Sequence, residues 1–450
     1  MLPSRDFKSL VSADSTTAAF FIKRENTFFF SILRLIIILQ PLKKVNCNRK
    51  EEKGLNSSIS PLALECLSQL NAAGYKAYLV GGCVRDLIQG LFPHDYDLCT
   101  NALPEEIQNV FAADKTILTG LRHGTVTVVK KGEPFEITTF RKESGYSDSR
   151  HPDAVSFTAD LKEDLSRRDF TMNAIAYSPE EGFVDPFDGG KAIRHKRISC
   201  VGDPLLRFEE DALRMLRAVR FEACLGFAID PITALAIERR APKIADISRE
   251  RIKEELTKIL LSSRAFEGTT RLLHFLGAGI FGEEAALLTP SPVLNRVSAC
   301  EPLRYAAFLL NSGSAAEILR SLHCSNQLVR SVTAILNAVH SGYPTTAVGA
   351  RLLCRDAGDN ALQAAELIDL CSGHPAMTMS GLVSAVLNCR DPVTLSSLAI
   401  NGTDLASAGI PSGKETGRIL NYLLDMVIQF PEKNKKNILL KEAIKFYDLS

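Results

Sequence analysis

The chain has 450 residues, 46% hydrophobic and 23% charged, with a net charge of +1. That length exceeds one small core and points to roughly two to four domains. The near-neutral balance excludes polyanion binding through overall charge, so a nucleic-acid partner must meet local basic patches. The 11 cysteines are dispersed, with no C-x-x-C pair and no zinc-like His spacing, which excludes a metal–thiolate site. Dispersed thiols fit a reducing compartment, and cytoplasm is the expectation.

Residues 1–57 differ in character from the rest. Phe28–Leu39 is apolar but too short to span a bilayer, and Arg34 interrupts it. A signal-like segment lacks a small-residue cleavage site here, and Asp6 and Asp14 count against a transit peptide. The remaining reading, an extension that adds nothing to the fold, is the expectation. Residues 58–74 carry apolar positions at helical spacing and end on Gly74, so a helix leads into the next stretch.

Tyr78–Thr100 (YLVGGCVRDLIQGLFPHDYDLCT) reads as strand, glycine turn, short helix over Val84–Gly90, and a second strand carrying Asp95 and Asp97. Gly81 and Gly82 allow a tight turn whose N–H groups approach an anion. Strand alternation puts Asp95 and Asp97 on one face, with Tyr96 opposite. Adjacent carboxylates repel unless a cation lies between them, and an oxygen-only set suits Mg²⁺ shared with substrate phosphates. Either motif alone is commonly a turn or a solvated loop; in one unit they point to nucleotide chemistry.

A helix over Leu103–Phe111 is predicted, capped by Asn101 and started near Pro104. Gly124–Val129 and Phe135–Phe140 form a hairpin that places Glu136 on a strand, either as a third carboxylate beside the Asp pair or as an ordinary edge-strand residue. Arg141–Phe157 is predicted to be a loop beside the site. In Leu165–Ala176, Arg167 and Arg168 offer phosphate-binding forks, and Asp169 and Asn173 share a helix face four residues apart. The alternative is a surface salt-bridge cluster. Phe183–Gly190 is turn chemistry.

From Pro204 onward the pattern is helical. Phe208, Ala212, Met215, Leu216 and Val219 form one stripe over Phe208–Arg220, bordered by Arg207, Asp211, Arg214 and Arg217. Asp211 as acceptor and Arg214 as donor suit the hydrogen-bonding edge of a base; the competing reading is an intrahelical ion pair. Farther on, Gly409, Gly413 and Lys414 suit a glycine turn into a helix that meets an RNA backbone, or a plain connection between helices.

Taken in order, LVGGCVRDLIQG, HDYDLCT, TGLRHGTVTVV, FEITTFR, SRRDFTMNAIA and EEDALRMLRAVRF resemble the class II tRNA nucleotidyltransferases, the CCA-adding enzymes, within a superfamily that includes bacterial poly(A) polymerases. The resemblance runs from Ser58 to Ser450; its tail rests mainly on NGTDL and GIPSGK. It implies an α+β head with a small mixed sheet and helices at 58–195. An all-α neck (196–260), body (261–335) and tRNA-binding tail (336–450) would follow in an elongated, seahorse-like chain. It implies that Asp95 and Asp97 hold two Mg²⁺ ions with Glu136 as third acid, and that Gly81, Gly82, Arg85 and Asp86 bind triphosphate. Arg168 and Asp169 match the ribose-reading motif. Asp211, Arg214 and Arg217 match the motif that pairs with the incoming CTP or ATP base, and Gly409, Gly413 and Lys414 fall in the RNA-binding tail. The expected reaction is addition of C, C and A to the tRNA 3′ end, by a monomer or homodimer without a membrane. Relatives that add only A or only CC, and poly(A) polymerases, are the competing activities. The GYSDSRHP segment (145–152) favours the full reaction, and the TGLRHGTVTVV segment argues against poly(A) synthesis. A non-catalytic RNA-binding protein would have lost a carboxylate, and a small-molecule nucleotidyltransferase would not need the long helical arm.

Overall fold

A computed structural model describes residues 58–118, 120, 124–144, 154–372 and 378–448. The expectations for 1–57 and for the 145–152 segment lie outside these residues. The chain divides into two compact units, one ending at Ile247 and the other beginning at Ser248.

In the first unit, helix α1 (Pro61–Ala72) starts where the Ser60 side chain accepts from the Leu62 N–H and proline occupies the first turn. The chain turns away just past the end of this helix at Gly74, whose φ of +91° suits a residue without Cβ. The chain continues through β1 (Ala77–Val80), α2 (Gly82–Ile88), β2 (Asp97–Thr100), α3 (Pro104–Val110), β3 (Lys115–Ile117), β4 (Thr125–Lys130) and β5 (Glu133–Thr139). Next come β6 (Arg141–Ser144), β7 (Ala154–Phe157), α4 (Leu161–Ser166), a 3-10 turn (Thr171–Asn173), β8 (Ala176–Ser178) and β9 (Gly182–Val184). Helix α5 (Gly189–Arg194), β10 (Arg197–Ile198), α6 (Pro204–Glu210), α7 (Leu213–Leu225), β11 (Ala228–Ile229) and α8 (Pro231–Arg240) follow.

Seven strands form one sheet in the order β3-β4-β5-β2-β1-β8-β9. β2 and β5 run parallel and the other neighbours antiparallel, so the sheet is mixed. β1 is buried at every position, as a central strand must be. Tyr78, Val80, Cys99, Phe140, Leu165 and Ala176 share one core on this sheet. β6 and β7 pair as a separate ribbon, so the predicted Arg141–Phe157 loop begins and ends as strand.

The second unit is helical among its described residues. It contains α9 (Arg249–Leu261), α10 (Ala265–Phe281), α11 (Glu301–Phe308), α12 (Ala315–Ser321), α13 (Asn326–His340) and α14 (Ala347–Ala357). α15 (Ala361–Ser372), α16 (Met379–Cys389), α17 (Gly402–Ser407), α18 (Lys414–Gln429) and α19 (Lys436–Asp448) complete it. A mixed-sheet head followed by helices is the expected fold class.

Arg304 on α11 is buried, and its guanidinium donates to the carbonyls of Ser298, Ser262 and Leu294 at 3.0, 3.2 and 2.6 Å. One side chain thus satisfies the end of α9 and two turns. Arg304→Met leaves those acceptors unpaired at a cost of about 3 kcal/mol or more, which chemical denaturation should read as a lower unfolding midpoint with unchanged slope.

Four local expectations are corrected. β2 begins at Asp97, and Asp95 precedes it in a bend, so the two do not alternate along one strand. Leu103, not Asn101, caps α3: the Glu106 carboxylate accepts from the Leu103 N–H, while Asn101 Oδ1 accepts from Lys76 N. The Leu165–Ala176 segment leaves helix after Ser166, because Phe170 bridges to Cys200 and the chain then turns tightly. The predicted Phe208–Arg220 helix is two helices, α6 and α7, broken at Asp211 with φ −144° and ψ 105°.

Candidate active site

Parallel pairing of β2 with β5 sets Asp97 directly opposite Glu136, so two strands far apart in sequence deliver neighbouring carboxylates. Asp95, Asp97 and Glu136 are all accessible. The surrounding protein displaces water from the Asp97 carboxyl and pushes its pKa above the ordinary carboxylate range; Arg168 opposes this, and the Glu136 and Asp95 charges reinforce it. A carboxylate so crowded by like charge is relieved by a cation. The oxygen-only donors fit a hard divalent ion. Among the described residues no three His, Cys, Asp or Glu side chains gather closely enough to hold a metal alone. Such a site therefore needs oxygens from substrate, which is how Mg²⁺ ordinarily binds.

The glycine turn sits over this pair. Gly81 has φ +83°, and a Cβ there would lie 3.4 Å from an Arg168 guanidinium nitrogen and 3.6 Å from Asp97 Oδ2. Arg168 Nε is buried and has no hydrogen-bond partner among the described residues. An orphan cationic donor beside a glycine turn and a carboxylate fits an incoming phosphate or ribose oxygen.

Five of the residues singled out in the sequence form one connected chain. Arg85 donates to Asp86 Oδ1 at 2.9 Å and to Asn173 Oδ1 at 2.9 Å. Asn173 donates to Asp169 Oδ1 at 3.4 Å, and Arg217 donates to Asp169 Oδ2 at 2.8 Å. Asp169 and Asn173 meet as expected, but through a 3-10 turn and not a helix face. Burial pushes the Asp169 carboxyl up, yet Arg217, the Phe170 N–H and Arg214 outweigh it and hold the group below the ordinary range. The guanidinium carbons of Arg85, Arg217 and Arg220 lie 5.7, 5.5 and 3.8 Å from the centre of the Phe221 ring. That aromatic face packs the cationic wall of the site.

Asp211 ends α6, and its Oδ1 accepts from the Leu213 N–H at 3.0 Å, so its side chain starts α7. Arg214 pairs with Glu210 and donates to the carbonyls of Arg207 at 3.0 Å and Arg167 at 3.1 Å. The segment carrying Asp211 and Arg214 is thereby tied to the residue preceding Arg168.

Three contributors were not anticipated. Asp164 is fully buried and accepts from Arg167 Nε at 2.9 Å and from the Arg141 N–H at 3.3 Å, with Arg168 at 3.5 Å. Its position three and four residues before the arginines, at helical spacing, was the available signal. Glu210 holds both Arg207 and Arg214. Phe221 gave no signal beyond ordinary core periodicity.

In the second unit Gly409 and Gly413 have φ of +90° and +138°, and Lys414 begins α18. The predicted turn into a helix is present.

The family described as "Poly A polymerase head domain" matches residues 77–199, and "Probable RNA and SrmB- binding site of polymerase A" matches 226–276. A tRNA nucleotidyltransferase domain 2 family matches 302–443. The CCA-adding enzyme of Limosilactobacillus fermentum is 38% identical over 84% of this chain and 94% of its own. That of Geobacillus stearothermophilus is 37% identical over 83% and 94%. This chain belongs to the CCA-adding enzyme family. It is therefore a nucleotidyltransferase, of a class that uses divalent metal ions. The Bacillus stearothermophilus CCA-adding enzyme in complex with CTP superposes with a TM-score of 0.73 at 33% identity, covering 86% of this chain and 97% of that one. The Thermotoga maritima CCA-adding enzyme complexed with tRNA shares the fold, with a TM-score of 0.62 at 20% identity over 91% and 100%. The head-domain match contains Asp95, Asp97, Glu136, Arg168 and Asp169, whereas Asp211, Arg214 and Arg217 lie between matched segments.

Proposed function

We propose that this CCA-adding family member completes the tRNA 3′ end with C, C and A from CTP and ATP, without a nucleic-acid template, releasing pyrophosphate. The observation that carries this reading is the hydrogen bond from Arg214 to the Arg167 carbonyl. It joins a base-reading pair to a sugar- and phosphate-reading cluster in which Arg168 and Asp97 both lie beside the Gly81 turn.

Asp95 and Asp97, with Glu136 beside them, are the residues that would hold two Mg²⁺ ions. Bound there, the ions supply positive charge that activates the RNA 3′-hydroxyl and neutralises the leaving pyrophosphate. Phosphoryl transfer needs positioning and electrostatics more than covalent help from the protein. The Gly81–Gly82 turn gives a phosphate backbone-close approach, and Arg85, locked by Asp86 and Asn173, adds fixed positive charge. Arg168 donates to the nucleotide sugar, and Asp169 keeps Asn173 and Arg217 in place beside it. Arg214 is oriented by Glu210 and two carbonyls. Cytosine and adenine each present an amino donor next to a ring-nitrogen acceptor, which Asp211 and Arg214 complement. Uracil and guanine present the reverse pattern.

Asp211→Ala should lower the preference for CTP and ATP over UTP and GTP by about 10- to 100-fold, more than it lowers kcat. Because Asp211 also caps α7, Asp211→Asn keeps an acceptor for Leu213 N and separates impaired reading from a missing cap. Intact selectivity in both variants, measured by competitive incorporation, would remove the protein-template role.

Gly409, Gly413 and Lys414 are proposed to meet tRNA backbone. The described cysteines are all free thiols, as a reducing compartment keeps them, and we take that compartment to be the cytoplasm. Among the described residues no helix is long and apolar enough to cross a membrane.

A further inference from the structure

Between Gly189 and Ser199 the chain reads GGKAIRHKRIS, placing Lys191, Arg194, His195, Lys196 and Arg197 within seven residues and no acid among them. All five side chains are exposed. Lys191, Arg194, Lys196 and Arg197 have no carboxylate partner among the described residues, although the chain as a whole is nearly neutral. The acids just upstream do not neutralise them. Asp185 is buried, its carboxylate occupied by the N–H groups of Gly189 and Gly190 at 2.7 and 2.8 Å, and Asp188 has its own interactions.

A run of like charge is ordinarily a solvated face, but two observations distinguish this one. Lys196 has φ +50°, a left-handed backbone position where a side chain is strained and glycine would not be. Keeping a lysine there holds a cation at a backbone cost. The ridge is also rigidly attached to the site. A Cβ on Gly189 would lie 2.1 Å from the Thr171 carbonyl oxygen, so α5 is pressed against the 3-10 turn that carries Asn173, and it also packs on α2.

We propose that Lys191, Arg194, Lys196 and Arg197 form a docking ridge for the phosphate backbone of the RNA substrate, guiding its 3′ end towards the nucleotide site. The inference rests on the proposed reaction for its substrate, and its own content is the surface. Phosphate contacts position an RNA without reading its sequence, and four cations with no carboxylate partner among the described residues supply that chemistry on a fixed edge.

The test uses full-length protein and a labelled tRNA transcript lacking its CCA end, with binding followed by anisotropy across a salt series. The triple variant Lys191→Gln, Arg194→Gln, Arg197→Gln should bind about tenfold more weakly at moderate salt. Its log–log salt slope should be shallower by about one for each phosphate that the variant no longer neutralises. The KM for CTP should not change. Lys196→Gly should unfold at a higher temperature while binding RNA more weakly, a split that a structural role for Lys196 does not produce. Unchanged affinity and salt slope in the triple variant overturn the proposal, as does a defect confined to the CTP KM. The wild type's incorporation is measured alongside: its absence counts against the proposed reaction, while an active wild type with an indifferent triple variant counts against the ridge alone.

Discussion

Asp97→Asn is expected to abolish nucleotide incorporation, by about a thousandfold or more, while making the metal-free protein harder to unfold. The two effects share one cause. Partial loss of solvation raises the Asp97 carboxyl above its ordinary value; Arg168 offsets part of this, and the Glu136 and Asp95 charges add to it. A raised carboxyl pKa means that the folded chain holds the proton more tightly than the unfolded chain does. The ionised form therefore opposes folding above that pKa, and the opposition fades as pH falls through the raised value towards the unfolded one. Asparagine removes the charge at every pH. In chelator at neutral pH the variant should melt above the wild type, and the gap should close as the solution is acidified. Added Mg²⁺ should raise the melting temperature of the wild type and leave Asp97→Asn unmoved. A variant that retains activity, or melts below the wild type in chelator, contradicts the assignment of Asp97.

Gly189→Ala is expected to be among the most damaging single-methyl additions in the first unit. The new Cβ would stand 2.1 Å from the Thr171 carbonyl oxygen and 2.8 Å from Ile175. Backbone cannot yield by that much without moving the 3-10 turn, and overpacking of this kind costs about 1–3 kcal/mol or more. The displaced turn carries Asn173, which links Arg85 to Asp169. The variant should therefore lose both stability and nucleotide affinity, read as a lower melting temperature together with a raised KM for CTP. Wild-type values for both would mean that α5 does not brace the site.

The parts of the site that were legible in the sequence are those whose chemistry is local. The glycine pair after an apolar strand and the hairpin carrying Glu136 each follow from short-range rules of turn and alternation. The Asp pair was legible as two close carboxylates but not as alternating strand positions, because Asp95 lies in the bend before β2. The pairing of β2 with β5, which sets Asp97 against Glu136, is long-range and has no local signature. Misread segments were places where a side chain overrides periodicity. FEEDALRMLRAVR keeps a helical stripe across Asp211, but the Asp211 carboxylate caps Leu213 and breaks the helix between stripe positions. Asp169 and Asn173 stand four apart and do touch, so helical spacing gave the correct contact for the wrong conformation. Pro93 and His94 separate α2 from β2, and strand pairing begins only at Asp97. In the second unit apolar periodicity foretold the helices, as in α18, where Ile419, Leu423, Leu424 and Val427 are buried. Arg304 was invisible because its partners are backbone carbonyls.

The most direct test of the central claim is incorporation onto three tRNA transcripts, ending before the first C, after one C and after CC. Each is supplied with CTP, ATP or both in Mg²⁺, with Asp97→Asn as the blank. Completion of CCA on all three transcripts, followed by arrest, is the predicted result. Addition of A alone to the CC end, or of CC without A, would contradict full CCA addition and assign a partial activity. Long A tails would assign poly(A) synthesis, and no incorporation would contradict catalysis on this fold.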